Sequence, residues 1–355
     1  MKKTILWWGR SDPNYSRNRI IRKQLKNLNY EIIDFYPLVS RFGYIEALLK
    51  KIKRTDFVWV PCFRQRDILS ASKWCLSKNI KLIIDPLISF WDKQTFEKEK
   101  IFIQKKSDLL KKKESFLFNK ANFVLADTIQ HANLFEKELC VDKHKIFTVF
   151  VGAEDNLFNN LPAKKNTKKK FEILFYGSFL PLHGSEIIIK AAKLFAKNDN
   201  VQWTMLGTGP DLHKCKVLAK DCPNIFFEEK IEYTKLALRI KEANLLLGIF
   251  GNSNKAGNVI PNKVFQSLAS GKTVITRKSN AYPKELLNLN NGIFFIEPNN
   301  PRALYNAVLK ITEDKKFLRK SNAQAKIIYN TYFSEKIIRE QLKKIMELSH
   351  QDDIS

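Results

Sequence analysis

At roughly 100–200 residues per domain, a 355-residue chain has length for two domains, each with a core of its own. Its 44% apolar and 28% charged side chains are those of a globular protein and exclude a disordered one. Sixty-two Lys and Arg against 36 Asp and Glu leave a net charge of +26, which draws anionic partners. The excess is spread over both halves, and no helix-turn-helix, zinc or RNA-binding motif accompanies it, so nucleic acid is not an expected partner.

Cys62, Cys75, Cys140, Cys215 and Cys222 form no C-x-x-C pair and no zinc-like spacing with histidine, which points to a reducing compartment. Lys2 and Lys3 precede an apolar run over residues 5–8, too short for a signal peptide and read as a first core strand. No stretch reaches the ~18–20 apolar residues of a membrane span. The expected location is the cytoplasm, either free or peripheral on the inner face of the plasma membrane.

In chain order, apolar runs at residues 4–8, 30–35, 57–61, 81–85, 123–126 and 146–151 read as strands. Helical patterns lie between them at 18–28, 44–51 and 69–78. Residues 96–120 mix bulky apolar side chains with eight lysines. Such a segment reads either as a helix lying on an anionic membrane or as a core helix with a solvated lysine face. The polar, lysine-rich stretch 159–170 then breaks the alternation and reads as a linker. Strands resume at 172–176, 202–206, 225–227, 245–248, 273–276 and 293–296, with helices at 185–197, 233–242, 263–270 and 301–312. A last helix, 334–348, places Ile337, Ile338, Leu342, Ile345 and Met346 at helical spacing and is expected to pack back on the first domain. The chain is therefore α/β, with parallel sheets in two Rossmann-like domains, 1–160 and 161–333.

Three stretches in the second half suit an anion. In FEILFYGSFLPLHGSEIIIKAA a strand ends at Gly177, followed by Ser178, His183 and Gly184 and then a helix. A strand, a glycine turn and a helix N-terminus expose backbone N–H groups to phosphate, and His183 can add a donor. In WTMLGTGP, Gly207 and Gly209 permit a tight turn and close backbone approach. In NVIPNKVFQSLASG, Asn262 reads as a helix N-cap and Lys263 as a first-turn cation. A lysine there opposes the helix dipole unless an anion lies beside it. In the first half, the loop after the first strand carries Gly9, Arg10, Arg17 and Arg19, expected to meet donor phosphates or an anionic acceptor.

Taken together, YGSFLPLHG, MLGTGP and IPNKVFQSLASGKTVIT, in this order and spacing, resemble the family 4 retaining glycosyltransferases of the GT-B fold. LIIDPLIS, FVLADT and VGAEDNLF extend the likeness more loosely into the first half. The resemblance implies two sheets facing a central cleft, with the nucleotide diphosphate of the donor on the second domain and the acceptor on the first. It also implies metal-independent transfer with retention and no cofactor, and the chain contains no D-x-D triplet. Helix N-termini and a basic side chain would stabilise the leaving phosphate, where charge develops.

Several positions depart from the family pattern. Asn258 and Gln266 stand where two glutamates are usual, the first contacting the donor sugar and the second the ribose. Ser178 replaces an arginine, His183 a lysine, and Asp85 the histidine near the reaction centre. Lys263 is left as the main diphosphate cation and Asp85 as the residue that orients a sugar hydroxyl, with Ile260 and Pro261 completing the donor loop. The implied function is a retaining, hexosyltransferase-like enzyme (EC 2.4) with a nucleotide-sugar donor and a glycan or lipid-linked acceptor. It would act in cell-surface polysaccharide or lipopolysaccharide biosynthesis, with an anionic membrane surface as a further partner. The alternative is a catalytically inactive GT-B homologue acting as a binding or scaffolding subunit.

Overall fold

The computed structural model describes residues 2–97, 104–159 and 170–351. Most of the expected linker 159–170, and residues 98–103 of the basic segment, lie outside them. The chain divides into two compact units, Met1–Val151 with Glu335–Ser355, and Gly152–Ser334.

The first unit is built on β1 (Lys3–Trp8), α1 (Ser16–Asn27), β2 (Tyr30–Phe35), α2 (Gly43–Leu49), β3 (Phe57–Val60), α3 (Ile68–Lys78), β4 (Lys81–Ile84), α4 (Phe90–Glu97), α5 (Gln104–Phe118), β5 (Phe123–Ala126), α6 (Ile129–Lys137) and β6 (Ile146–Thr148). The strands form one parallel sheet in the order β2-β1-β3-β4-β5-β6. Parallel strands covered on both faces are apolar throughout, which is why short continuous runs announce them. Trp7 and Trp59, on neighbouring strands, stack with ring centroids 5.8 Å apart. Helix α5 joins the core through Leu117 and Phe118, while Leu109 and Phe116 stay exposed.

The second unit comprises β7 (Phe171–Gly177), α7 (Ser185–Lys193), β8 (Val201–Gly207), α8 (Leu212–Leu218), β9 (Ile225–Glu228), α9 (Tyr233–Glu242), β10 (Leu245–Leu247), α10 (Asn254–Asn258), α11 (Asn262–Ala269), β11 (Val274–Arg277), β12 (Ile293–Ile296), α12 (Pro301–Glu313) and α13 (Lys315–Ile328). Its parallel sheet runs β12-β11-β10-β7-β8-β9, so the strand order reverses between β7 and β10. A crevice beyond the carboxyl ends of the strands at such a reversal is where open α/β sheets bind ligands. Local chemistry fixes the helix starts: Asn300 accepts from Ala303 N at 2.9 Å ahead of Pro301, and Asp314 accepts from Phe317 N at 2.8 Å.

The division falls at Val151/Gly152, upstream of the break read at 160/161. Residues before the lysine-rich stretch already belong to the second unit, where the Tyr329 hydroxyl lies 2.9 Å from the Ala153 carbonyl and 2.8 Å from Asp155 Oδ1. The last helix, α14 (Glu335–Gln351), returns to the first unit. Its Ile338, Leu342, Ile345 and Met346 share a core with Ile5, Trp7, Ile20, Ile21 and Leu25.

Candidate active site

The second unit gathers its glycines where β7 and β8 end. Gly177 closes β7 with φ +154°. A Cβ there would stand 2.9 Å from Lys263 Nζ and 3.2 Å from His183 Cε1, so only glycine leaves this space to those two side chains. Gly207 closes β8 with φ +129°, and a Cβ on it would stand 2.1 Å from the Gly177 carbonyl oxygen. A Cβ on Gly209 would fall 1.5 Å from the carbonyl oxygen of Ser178, a residue whose side chain is exposed. The two strand-end turns therefore pack backbone on backbone. Gly184, at φ +62°, is the N-cap of α7, and no side chain caps that helix.

Lys263 enters this space from α11. Pro261, extended at ψ 144°, is the N-cap of that helix, and Asn262 is its first residue. This corrects the reading of Asn262 as the cap: the helix begins one residue early, and no side chain caps it. Gly184 of the first turn is the N-cap of α7, and the Lys263 side chain from the first turn of α11 reaches Gly177. Lys263 is 5% exposed, and its ammonium stands 4.0 Å over the Phe175 ring with no hydrogen-bond partner among the described residues. Burial holds its pKa well below the ordinary lysine value. His183 Nδ1 is likewise buried and unpartnered, and burial, then the charge of Lys263, pushes its pKa down to about 2. The imidazole is neutral at physiological pH. Two unpaired polar groups share one apolar-walled space, which an oxyanion would satisfy.

Gln266 lies one turn along α11. Its Oε1 accepts from Tyr176 at 3.0 Å, its Nε2 donates to Tyr233 Oη at 3.4 Å, and Tyr233 donates in turn to Glu154. The amide is thus bonded at both ends to tyrosines. Tyr176, Tyr233 and Glu154 escaped the sequence reading, although Tyr176 adjoins Gly177 and Glu154 lies in VGAEDNLF. Asn258 ends α10, Ile260 is buried, and the loop before α10 is fastened by Arg277, which donates to the Gly251 and Ser253 carbonyls at 2.7 and 3.1 Å. Arg277 was also missed, because nothing in β11 marks it.

The arginines expected in the first unit's loop part company. Arg10 is exposed and Arg19 half-buried, while Gly9 leaves room for the Arg64–Asp67 pair beside it. Arg17 is fully buried. Its Nε and Nη2 donate to Asp85 at 2.9 and 3.1 Å, and its Nη1 donates to the Val149 and Phe150 carbonyls. Every edge of the guanidinium is engaged, so Arg17 is no phosphate contact. Asp85, 1% exposed, has both oxygens on Arg17 rather than turned to a sugar. The pair ties α1, the end of β4 and the chain after β6 together.

Two units, each a parallel six-stranded sheet between helices with the site at the carboxyl ends of the second sheet, define the GT-B architecture. Residues 157–332 match the family described as glycosyl transferases group 1, so the second unit carries a glycosyltransferase domain. No curated protein sequence matches the chain. Among solved structures, HepE of Anabaena in complex with UDP superposes with a TM-score of 0.72 at 15% identity, covering 98% of this chain and 100% of that one. Sucrose-phosphate synthase of Thermosynechococcus elongatus gives 0.76 at 13% identity, with 99% and 100% covered. The lipopolysaccharide outer core galactosyltransferase WaaB gives 0.67 at 12% identity, with 97% and 99% covered. At these identities the likeness establishes the fold. No helix among the described residues is long and apolar enough to cross a membrane.

Proposed function

We propose that this chain is a retaining glycosyltransferase of the family 4 type. It would take a sugar from a nucleotide diphosphate donor and pass it, without a metal, to a glycan or lipid-linked acceptor in cell-surface polysaccharide or lipopolysaccharide biosynthesis. The observation that carries this reading is the buried, unpartnered Lys263 ammonium beside Gly177 and His183. A diphosphate supplies the acceptor that this cation lacks. The nucleotide in the HepE structure and the acceptor class named for WaaB favour the same reading.

The division of labour follows from the residues. The Lys263 ammonium and the uncapped starts of α7 and α11 neutralise the diphosphate as the bond from the sugar's anomeric carbon to its phosphate oxygen breaks. The acceptor hydroxyl forms the new bond on the same face and gives its proton to the leaving phosphate oxygen. Neutral His183 bonds a phosphate oxygen without adding charge. Gln266, held by the two tyrosines, presents its remaining N–H toward the donor ribose, and Asn258 and Ile260 border the sugar. Arg17 and Asp85 hold the loop after β4 in place.

Incubation with UDP-, GDP- and ADP-sugars tests the proposal. Release of nucleoside diphosphate, accelerated by acceptor and yielding the donor's anomer, is the expected result. Binding of nucleotide with neither hydrolysis nor transfer would instead favour a non-catalytic binding subunit. That second reading draws on Asn258 and Gln266, which place no carboxylate where the family has two.

A further inference from the structure

The first sheet also encloses space at the amino ends of its strands, the pole opposite Gly9 and Asp85, which follow β1 and β4. A cavity of about 840 Å³ opens there, between the segments that lead into β3, β4 and β5 and the last turns of α3. That is the size of a pocket for a small organic ligand, ~300–1,000 Å³. Its charge is one-sided. Arg54 precedes β3, Lys81 begins β4 and Lys120 lies just before β5, so the cations come from three neighbouring strands. Asp56 is the only acid in the lining, and it already accepts from Thr4 N and Thr4 Oγ1 at 2.6 and 3.0 Å. Neither Arg54 nor Lys120 meets a carboxylate among the described residues. Arg54 donates to the Asn79 carbonyl at 3.3 Å, and the Lys120 ammonium stands 4.6 Å over the Phe116 ring. An anion would engage both.

The remaining lining narrows the kind of anion. Phe57, its one aromatic residue, is 2% exposed, so no ring face is offered to a nucleobase. Strands β3, β4 and β5 each have a neighbour on both sides, so an extended peptide finds no free edge to pair with. Thr55, Ser72, Asn79 and Asn122 supply hydroxyls and amides, which suit sugar hydroxyls. The Asn122 Oδ1 accepts from Leu82 N at 2.8 Å, which leaves its Nδ2 as a donor. At ~4.8 Å between strands, the backbones that carry Arg54 and Lys120 lie about 10 Å apart, a span that suits an extended ligand with more than one charge. We propose that this cavity binds an acidic oligosaccharide, with anionic groups on more than one of its sugars. The site belongs to the first unit, whereas Lys263 belongs to the second, and its occupancy requires no sugar transfer.

The test is calorimetric titration of the full chain with trigalacturonate, a hyaluronan tetrasaccharide, neutral maltotriose, triglutamate and inorganic phosphate. At least one of the two acidic oligosaccharides is expected to bind at about 1 mM or tighter, and the other three probes at least about tenfold more weakly. Added salt should weaken the binding. Arg54→Glu/Lys120→Glu, at two exposed positions, should lose about tenfold or more with thermal unfolding unchanged. Lys315→Glu/Lys316→Glu on α13 makes the same change in net charge and should bind like the wild type, as should Lys263→Met. The proposal is overturned if neither acidic oligosaccharide binds, or if maltotriose or phosphate binds as well as they do. Equal binding of triglutamate gives the cavity to acidic peptides and also overturns it. So does full affinity in the Arg54/Lys120 variant, or an equal loss in the Lys315/Lys316 variant or in Lys263→Met, which would place the ligand elsewhere. A chain that binds the acidic oligosaccharide here yet transfers no sugar keeps this site and sinks only the catalytic reading.

Discussion

A buried ammonium with no acceptor destabilises the fold that holds it, by about 1–3 kcal/mol or more for a charged group. Lys263 is such a group. Lys263→Met should therefore raise the thermal midpoint of the ligand-free protein by at least about 2–4 °C; an unchanged or lower midpoint in calorimetry contradicts this. His183 adds a pH dependence. Its folded pKa of about 2 lies below the ordinary value near 6.5, so the unfolded chain binds the extra proton as pH falls between them. Stability present above about pH 6.5 is lost on acidification, at up to ~1.4 kcal/mol per pH unit. Urea unfolding of His183→Leu between pH 6.5 and 4.5 should show a shallower acid loss than the wild type. Arg17 is the reverse case. Arg17→Met leaves Asp85 buried and unpaired and should cost about 3–5 kcal/mol, much of it recovered in Arg17→Met/Asp85→Leu. Equal urea midpoints for the single and double variants would argue against the pair's structural role.

At the scale of elements, the strand-end turns depend on backbone approach rather than on side chains. Gly209→Ala places a methyl 1.5 Å from the Ser178 carbonyl, so the turns must separate and nucleotide affinity should fall sharply. Gly271→Ala, also at positive φ but with nothing nearer than 3.8 Å, should cost only the ~1–2 kcal/mol of the left-handed conformation and leave affinity intact. Isothermal titration of the two variants distinguishes these outcomes. Elements were also what the sequence disclosed best. Buried parallel strands are unbroken apolar runs, so β2, β5 and β12 fall on the expected residues and the others differ by a few residues at their ends. Periodicity is less informative about direction: it marks a helix at 44–51 but cannot say that its Ile45 and Leu49 look outward. Nor can it pair Arg17 with Asp85, 68 residues on, or Gln266 with Tyr176, because long-range side-chain partners leave no local pattern.

At the scale of the molecule, the C-terminal helix completes the unit begun by β1. Four buried side chains of α14, at ~1.5–3 kcal/mol each, amount to about 6–12 kcal/mol, comparable with the ~5–15 kcal/mol stability of a whole domain. A chain ending at Ser334 should lose the cooperative unfolding of its first unit and become protease-sensitive there, while the second unit stays resistant. Uniform resistance in both units would contradict the shared core. The central claim is that an anion belongs beside Lys263, and calorimetric titration with UDP, GDP and ADP tests it most directly. The account predicts that at least one nucleoside diphosphate binds the wild type and that Lys263→Met weakens it about a hundredfold, as loss of a charged partner of about 2–5 kcal/mol requires. Equal affinity in the two proteins, or no binding by the wild type, would contradict it.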